Sequence, residues 1–254
     1  MKDLIILNYH SLFNSSDWDF RDPIYSIDET VFRQQLELIK QLELQVISIK
    51  KINRAKSGTK PLIAITFDDA HDSDYKIAYP ILNEYGFKAS FYLPTLKLQG
   101  DYFKIKQYQE MLSTGHDIGP HGITHKYLSD LNYDEQFQEL KESKEAIEII
   151  TNEKADYFSL PGGKYSKETL EISLKLGFKG LLTTNFGFTD LGNTQFLLNR
   201  WTIRKKTSID TFEKVLRGNW IEIKKEEGKS ILKRGFHRLF SNQIADQINY
   251  TLRG

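Results

Sequence analysis

Two clusters of side chains have the types and spacing of a reactive centre. In Ile65-Thr66-Phe67-Asp68-Asp69-Ala70, adjacent carboxylates end an otherwise apolar run. Adjacent acids repel each other, and one tends to hold a proton unless a cation neutralises the pair. A metal ion resolves this, because one Asp can ligate it while the other stays free to accept a proton. Read alone, the segment fits a plain Asp-Asp turn equally well. The second cluster runs from Gly115 to His125 and holds three of the six histidines. His121 and His125 are four apart, but Pro120 and Gly122 argue for a loop or strand end rather than a helix. No Glu follows His121, so the helical metalloprotease pattern is absent. Neutral imidazole is a favoured zinc ligand. Asp69, His121 and His125 together supply two nitrogens and one carboxylate and leave an open position for water. Such a metal ion lowers the pKa of bound water toward about 7 and polarises a substrate carbonyl. Asp68, beside a ligand, is then the general base. His116 reads as a supporting or structural histidine.

These residues need a frame that brings distant segments together. Short apolar runs at Leu4–Tyr9, Leu44–Ile49, Leu62–Phe67, Ala89–Leu93, Tyr157–Leu160 and Leu181–Thr184 read as buried strands. Helical patterns lie between them. Ser26 with Glu29 and Asn132 with Glu135 are spaced as capping boxes. Ser166 opens a helix that Gly177 closes, and a further helix starts near Pro80 and ends at Gly86. Strands alternating with helices imply parallel pairing and right-handed crossovers. A closed or partly closed barrel fits, with chemistry at the carboxyl ends of its strands. The Asp pair and the His pair both follow apolar runs.

The 254 residues suit one large α/β domain. With 39 % apolar and 13 % aromatic residues the chain can form a sizeable core. Lys and Arg number 35 against 34 Asp and Glu, a balance that predicts no nucleic-acid partner. Cysteine is absent, so any metal must be held by His, Asp or Glu. The start, MKDLIILNYH, has only four apolar residues in a row, short of a signal peptide, and no stretch approaches a membrane span. The expectation is a cytoplasmic protein. From Trp220 onward seven positive side chains stand against four negative ones. Ile231, Leu232, Phe236, Leu239 and Phe240 form a roughly helical apolar stripe there. The tail reads as an appended packing helix, or as an interfacial helix giving peripheral contact with the inner membrane face. The expected division is a barrel over 1–210 and a basic helical extension over 211–254.

The TFDDA segment, the HGITH segment and their order resemble the polysaccharide deacetylases of the NodB-homology type (carbohydrate esterase family four). The resemblance runs from about Leu4 to Arg204 and takes in ILNYH, FRQQLELIKQL, GHDIGPHGITHKYL and FSLPGGKYS. It implies a deformed (β/α) barrel and a divalent metal, usually Zn2+. It implies Asp68 as base, with Asp69, His121 and His125 as ligands. The family commonly has an Arg two residues before the proline of its third motif, to orient the base. Here that place is Ser159, and Arg200 is the candidate to stand in, with a surface ion pair as its other reading. The family's late Leu-x-His, which protonates the departing amine, is missing; His10 and His71 are the remaining candidates, or water or protonated Asp68 returns the proton. Pro161, Gly162, Gly163 and Tyr165 form the expected substrate loop, with a backbone N–H there facing the oxyanion. Tyr165, Trp201 and Tyr127 could stack on sugar, although each suits core packing better.

The activity so implied is removal of an N-acyl group, acetyl foremost, from an amino sugar. The substrate would be an envelope or extracellular polysaccharide, or its lipid-linked precursor. Two other readings stand beside it. One is a deformylase of a polyprenyl-phosphate-linked amino sugar. The other is a catalytically degenerate member that binds glycan without cleaving it.

Overall fold

A computed structural model describes residues 3–14, 22–56, 58–191, 196–219 and 221–229. Its centre is a five-stranded, wholly parallel sheet. β1 (Leu4–Tyr9) lies between β4 (Leu62–Asp68) and β10 (Trp201–Thr202), and β5 (Ala89–Leu93) and β6 (Asp117–Pro120) continue beyond β4. β7 (Tyr157–Ser159), β8 (Gly180–Leu182) and β9 (Leu197–Leu198) form a second parallel sheet. β2 (Ser11–Phe13) and β3 (Ser26–Asp28) pair in parallel as a third. With all strands parallel and the ladders interrupted between sheets, the frame is the deformed (β/α) barrel that the motif resemblance implies.

β1, β4 and β5 are buried along their whole length, as strands covered on both faces must be. Tyr9, Phe67 and Phe91 stack in sequence across these three strands, with centroids 5.3 and 5.0 Å apart. The Tyr9 hydroxyl donates to Gln35 at 2.8 Å, so this core tyrosine keeps its polar end satisfied. Around the sheet lie α1 (Glu29–Gln41), α2 (Tyr79–Glu84), α3 (Tyr102–Ser113), α4 (Tyr133–Thr151), α5 (Lys167–Lys175) and α6 (Ile209–Leu216). α4 starts with the full Asn132–Glu135 capping box, and Ser166 caps α5.

Three expected elements differ. Ser26 is drawn into β3, where its hydroxyl meets that of Ser11, so Asp28 caps α1 instead. The 44–49 run makes only a single bridge, Val46 to Ile63, because the backbone turns into a 3-10 segment at Ile49. Near Pro80 the sequence expectation meets a composite: a π-helical turn over Asp74–Ala78 leads into α2. The division expected at residue 210 falls within α6, whose Phe212, Val215 and Leu216 join the main core together with Ile223. The apolar stripe expected after Ile231 lies outside the described residues. Among the described residues, no helix is long and apolar enough to cross a membrane.

Candidate active site

Parallel strands deliver their carboxyl ends to one face. β4 ends there in Asp68 with Asp69 beyond it, β6 leads into His121, and β7 ends in Ser159. His121 is fastened to both neighbouring strands, its N–H donating to Leu93 O at 3.0 Å and its Nδ1 to Ser159 O at 2.7 Å. A carbonyl can only accept, so Nδ1 carries the proton and the Nε2 lone pair is free to ligate.

Asp69, His121 and His125 offer one ligand atom each, all within 4.8 Å of one another. The two Nε2 atoms stand 3.3 and 2.9 Å from Asp69 Oδ1, yet this buried oxygen has no hydrogen bond of acceptable geometry. Lone pairs converging without hydrogen bonds are what a cation would satisfy, and two imidazoles with one carboxylate suit zinc or a similar divalent ion. Burial pushes the Asp69 carboxyl up, but without an ion the two histidines, when protonated on Nε2, more than offset this and hold it well below the usual carboxylate range. Two of the three ligands sit in left-handed backbone conformations, Asp69 at φ 81° and His125 at φ 65°. Left-handed backbone outside glycine is strained and gathers at functional sites.

Asp68 has different surroundings. Arg200 grips it with two parallel bonds, NH1 to Oδ1 at 2.9 Å and NH2 to Oδ2 at 2.8 Å. The Ser159 hydroxyl lies 3.1 Å from both carboxylate oxygens and accepts from Arg200 NH2 at 2.9 Å. Arg200 also donates to Asn8 Oδ1 and Thr183 O. Arg200 is wholly buried and Asp68 is 2 % exposed. Burial raises the Asp68 pKa, but Arg200 and His121 outweigh it, so the carboxyl stays below its ordinary value and ionised. Ser159 thus occupies the place where an arginine was expected, and the guanidinium arrives from the loop between β9 and β10. The surface ion-pair reading of Arg200 is incompatible with its burial.

His10 follows β1 and stacks on Tyr25 with centroids 4.7 Å apart. Its Nδ1 is buried without a hydrogen-bond partner. Burial pushes its pKa down, against the opposing pull of Asp69 and Asp68, and the net direction is down. His71 has Nδ1 bound to Ser73, whose hydroxyl in turn accepts from Leu12 N–H. His116 is structural: Nδ1 accepts from Ala89 N–H and Nε2 donates to Asn83. Burial lowers its pKa to about 4.

The Pro161–Gly163 turn sits beside the histidine loop. Gly162 has φ 59°, and a Cβ there would stand 2.5 Å from the Tyr127 ring, so the turn requires glycine on both counts. The N–H groups of Gly163 and Lys164 are spent on Leu160 O and Pro161 O, which removes both as oxyanion donors. Tyr165 packs part-buried against a core cluster, whereas Trp201 lies in the main core, which leaves the Trp201 ring unavailable to sugar.

Glu139 was not singled out from the sequence. This residue of α4, only 6 % exposed, accepts from Ile123 N–H at 2.6 Å and from Thr124 N–H, and also binds the Thr124 hydroxyl. It clamps the loop that carries both histidine ligands. Its sequence signal is a charge on the buried face of an amphipathic helix, next to Leu140.

A parallel barrel that holds an ionised carboxylate beside a two-His, one-Asp cluster is a frame suited to hydrolysis, with a cluster that could hold a metal ion. The particular family follows from comparison. Residues 55–181 match the model of the family described as polysaccharide deacetylase. YxkH of Bacillus subtilis (strain 168), named for polysaccharide deacetylation, is 28 % identical over 202 residues, covering 78 % of this chain and 70 % of its own. The peptidoglycan-N-acetylglucosamine deacetylase of Bacillus cereus is 28 % identical over 126 residues, covering 49 % of this chain and 57 % of its own. The structure of the Streptococcus pyogenes deacetylase PplD in complex with acetate superposes with a TM-score of 0.72 at 28 % identity, over 82 % of this chain and 95 % of that one. The chain belongs to the polysaccharide deacetylase family and is a hydrolase of that class.

Proposed function

We propose that this protein removes the N-acetyl group from an amino sugar of a glycan, using a divalent metal, zinc foremost, held by Asp69, His121 and His125. The observation that carries the reading is the pairing of an ionised, fully oriented Asp68 with an adjacent ligand cluster whose lone pairs converge unsatisfied. A relative named as a poly-β-1,6-N-acetyl-D-glucosamine N-deacetylase, from Staphylococcus aureus (strain MSSA476), supports the substrate class; it is 23 % identical over 206 residues. Formyl removal and glycan binding without cleavage have no comparable support, and a satisfied base network is what a working site requires.

The metal, when bound, supplies a water of lowered pKa and a polarised carbonyl. The protein's own residues do the rest. A carboxylate has about four lone-pair sites, and Arg200 with Ser159 fills no more than three, so Asp68 keeps one for the proton of the attacking water. Arg200 and Ser159 fix its direction, and Arg200 compensates its charge until the proton arrives. An amine leaves only once protonated. Asp68 then holds the proton it has just taken and is the donor back to the amine. His10 lies near enough for both Asp carboxylates to act on its pKa, and we assign it as the ring that hydrogen-bonds the substrate or relays this proton.

Replacing Asp68 by Asn keeps the shape and removes the base. Turnover on N-acetylglucosamine oligomers should fall by about 10³-fold or more, in the range that positioned bases contribute. Metal content by elemental analysis should stay near the wild-type value. Undiminished turnover would sink the base assignment, and a wild type that takes up no divalent ion would sink the metal.

A further inference from the structure

The connection after β5 carries apolar surface that neither the core nor the reactive centre uses. Of the seven large apolar side chains exposed among the described residues, three fall between positions 96 and 103: Leu96 at 52 %, Tyr102 at 64 % and Phe103 at 81 %. Single exposed apolar residues are ordinary, whereas a cluster of them marks a binding surface. None of the three belongs to a core cluster. Tyr102 and Phe103 open α3, in the first turn of a helix, where acidic side chains are the commoner choice. Their rings meet edge to face with centroids 6.2 Å apart, and Lys106 Nζ lies 5.3 Å from the Tyr102 centroid.

This surface borders the ligand cluster. β5 delivers the chain to the carboxyl face of the barrel, so the connection 94–101 and the first turn of α3 lie on that face. Thr95 N–H donates to Gly122 O at 2.9 Å and Leu96 N–H to Ile123 O at 3.0 Å, both between the two histidine ligands. Lys97 Nζ donates to Asp69 O at 2.7 Å. Lys104, in the first turn of α3, pairs with Asp72 at 3.1 Å, on the segment that follows Asp69. The polar groups around the rings also say what would cover them. Lys97 and Lys104 are bonded inward, and the Asp101 carboxylate caps α3 through Lys104 N–H. An anionic lipid surface would find little here to pair with. Aromatic faces set among hydrogen-bonding groups suit a neutral sugar, whose C–H face stacks on a ring while its hydroxyls meet polar partners.

From these observations we infer that Leu96, Tyr102 and Phe103 form a second glycan subsite, which holds the sugars that flank the one at the reactive centre. Phe103, the most exposed ring, supplies the principal stacking face. Tyr102 supports it, and Leu96 continues the apolar surface to the histidine loop. The inference rests on the deacetylase reading for what happens at the reactive centre, and adds to it a selection by length. A chain long enough to reach α3 is held more tightly than a short one, because contact far from the reacting bond adds to its binding.

Calorimetric titration of the full-length, zinc-loaded Asp68→Asn protein tests this without turnover, and so separately from the deacetylase reading. The probes are the dimer and the pentamer of N-acetylglucosamine, each in β-1,4 and in β-1,6 linkage. In at least one linkage the pentamer should bind about ten-fold or more tightly than the dimer. Adding Phe103→Ala should weaken pentamer binding about three- to ten-fold, the size of one aromatic stack, and leave the dimer unchanged. Adding Tyr102→Ala as well should weaken it further. Both side chains are exposed, so these changes spare the core. Phe103→Trp keeps a stacking face and should retain pentamer binding, which a role in helix packing alone would not predict. The inference is overturned if the pentamer binds no more tightly than the dimer in either linkage. It is equally overturned if the Tyr102→Ala, Phe103→Ala pair leaves pentamer binding unchanged. Sedimentation with phosphatidylglycerol vesicles that this pair abolishes, with pentamer binding intact, would assign the rings to a membrane instead.

Discussion

Asp68 and Asp69 are neighbours in sequence and belong to one reactive centre, yet the protein treats them in opposite ways. Asp68 sits in a closed network. Asp68, Ser159, Asn8 and Thr183 leave the Arg200 guanidinium fully bonded, and all four are buried. Asp69 sits in an open one. It is part-exposed, one oxygen lacks a proper hydrogen bond, and its backbone is left-handed, as is that of His125. The closed half is built to stay in one ionisation state and one direction. The open half is left incomplete so that a cation can complete it. Folding energy secures the base, whereas metal binding would secure the ligands.

The sharpest way to break this contrast is to open the closed half. Arg200→Met retains apolar bulk but strands the Asp68 charge. Removing one partner of a buried pair costs about 3–5 kcal/mol, and denaturant unfolding should show a loss of that size. The double variant Arg200→Met with Asp68→Asn should regain part of it, because no charge is then stranded. A loss under about 1 kcal/mol in the single variant would mean that Asp68 is not held by this pair.

His116 lies in the same sequence cluster as the ligands, yet both its ring nitrogens are satisfied, so it should titrate as a stability element. Its pKa drops from 6.5 to about 4 on folding. Between those values the unfolded chain takes up a proton that the folded chain refuses. This stability is therefore complete above about pH 6.5 and is lost as the pH falls toward 4. The shift corresponds to about 3 kcal/mol. His116→Gln can keep both hydrogen bonds and should flatten the acid side of the stability–pH curve. An unchanged curve would assign the acid sensitivity to other groups.

The two halves were unequally legible in the sequence. The ligand half was visible because its residues cluster: Asp69 adjoins Asp68, and His121 and His125 are four apart. β1 and β5 were also legible to the residue, because an uninterrupted apolar run is what a strand buried on both faces needs. The base half depends on a contact between residues 132 positions apart, from Arg200 to Asp68. Only the closing of the barrel makes that contact, and Arg200 lies outside the 55–181 segment that matches the family. Its one local sign was an arginine after an apolar run. Glu139 was hidden for a related reason: a helix of mixed charge does not reveal which acid faces inward. Ser26 misled because pairing with β2 overrode a good capping pattern.

Glu139 sharpens the open half. It touches no ligand atom, but its carboxylate fixes the backbone of residues 123–124 between the two histidines. Supporting contacts of this kind are typically worth 10–100-fold in metal affinity. Glu139→Gln should weaken zinc binding by a factor in that range, read by competition with a chromophoric chelator, while the far-ultraviolet spectrum stays unchanged. Zinc affinity equal to the wild type would mean that the loop holds its shape unaided.

The smallest expected effect tests whether the strain of the open half is compensated locally. Ala70 has φ 53° and is 1 % exposed. A left-handed alanine costs about 1–2 kcal/mol, which glycine would relieve. Glycine would also forfeit about 0.8 kcal/mol of methyl burial and about 0.5–1 kcal/mol through the greater freedom of the unfolded chain. These contributions nearly cancel, so Ala70→Gly should change unfolding free energy by less than about 0.5 kcal/mol. A gain above about 2 kcal/mol would show that the turn carries strain its packing does not offset. Weaker zinc binding at unchanged stability would show the opposite, that the methyl group stiffens the turn and holds Asp69 toward the two histidines.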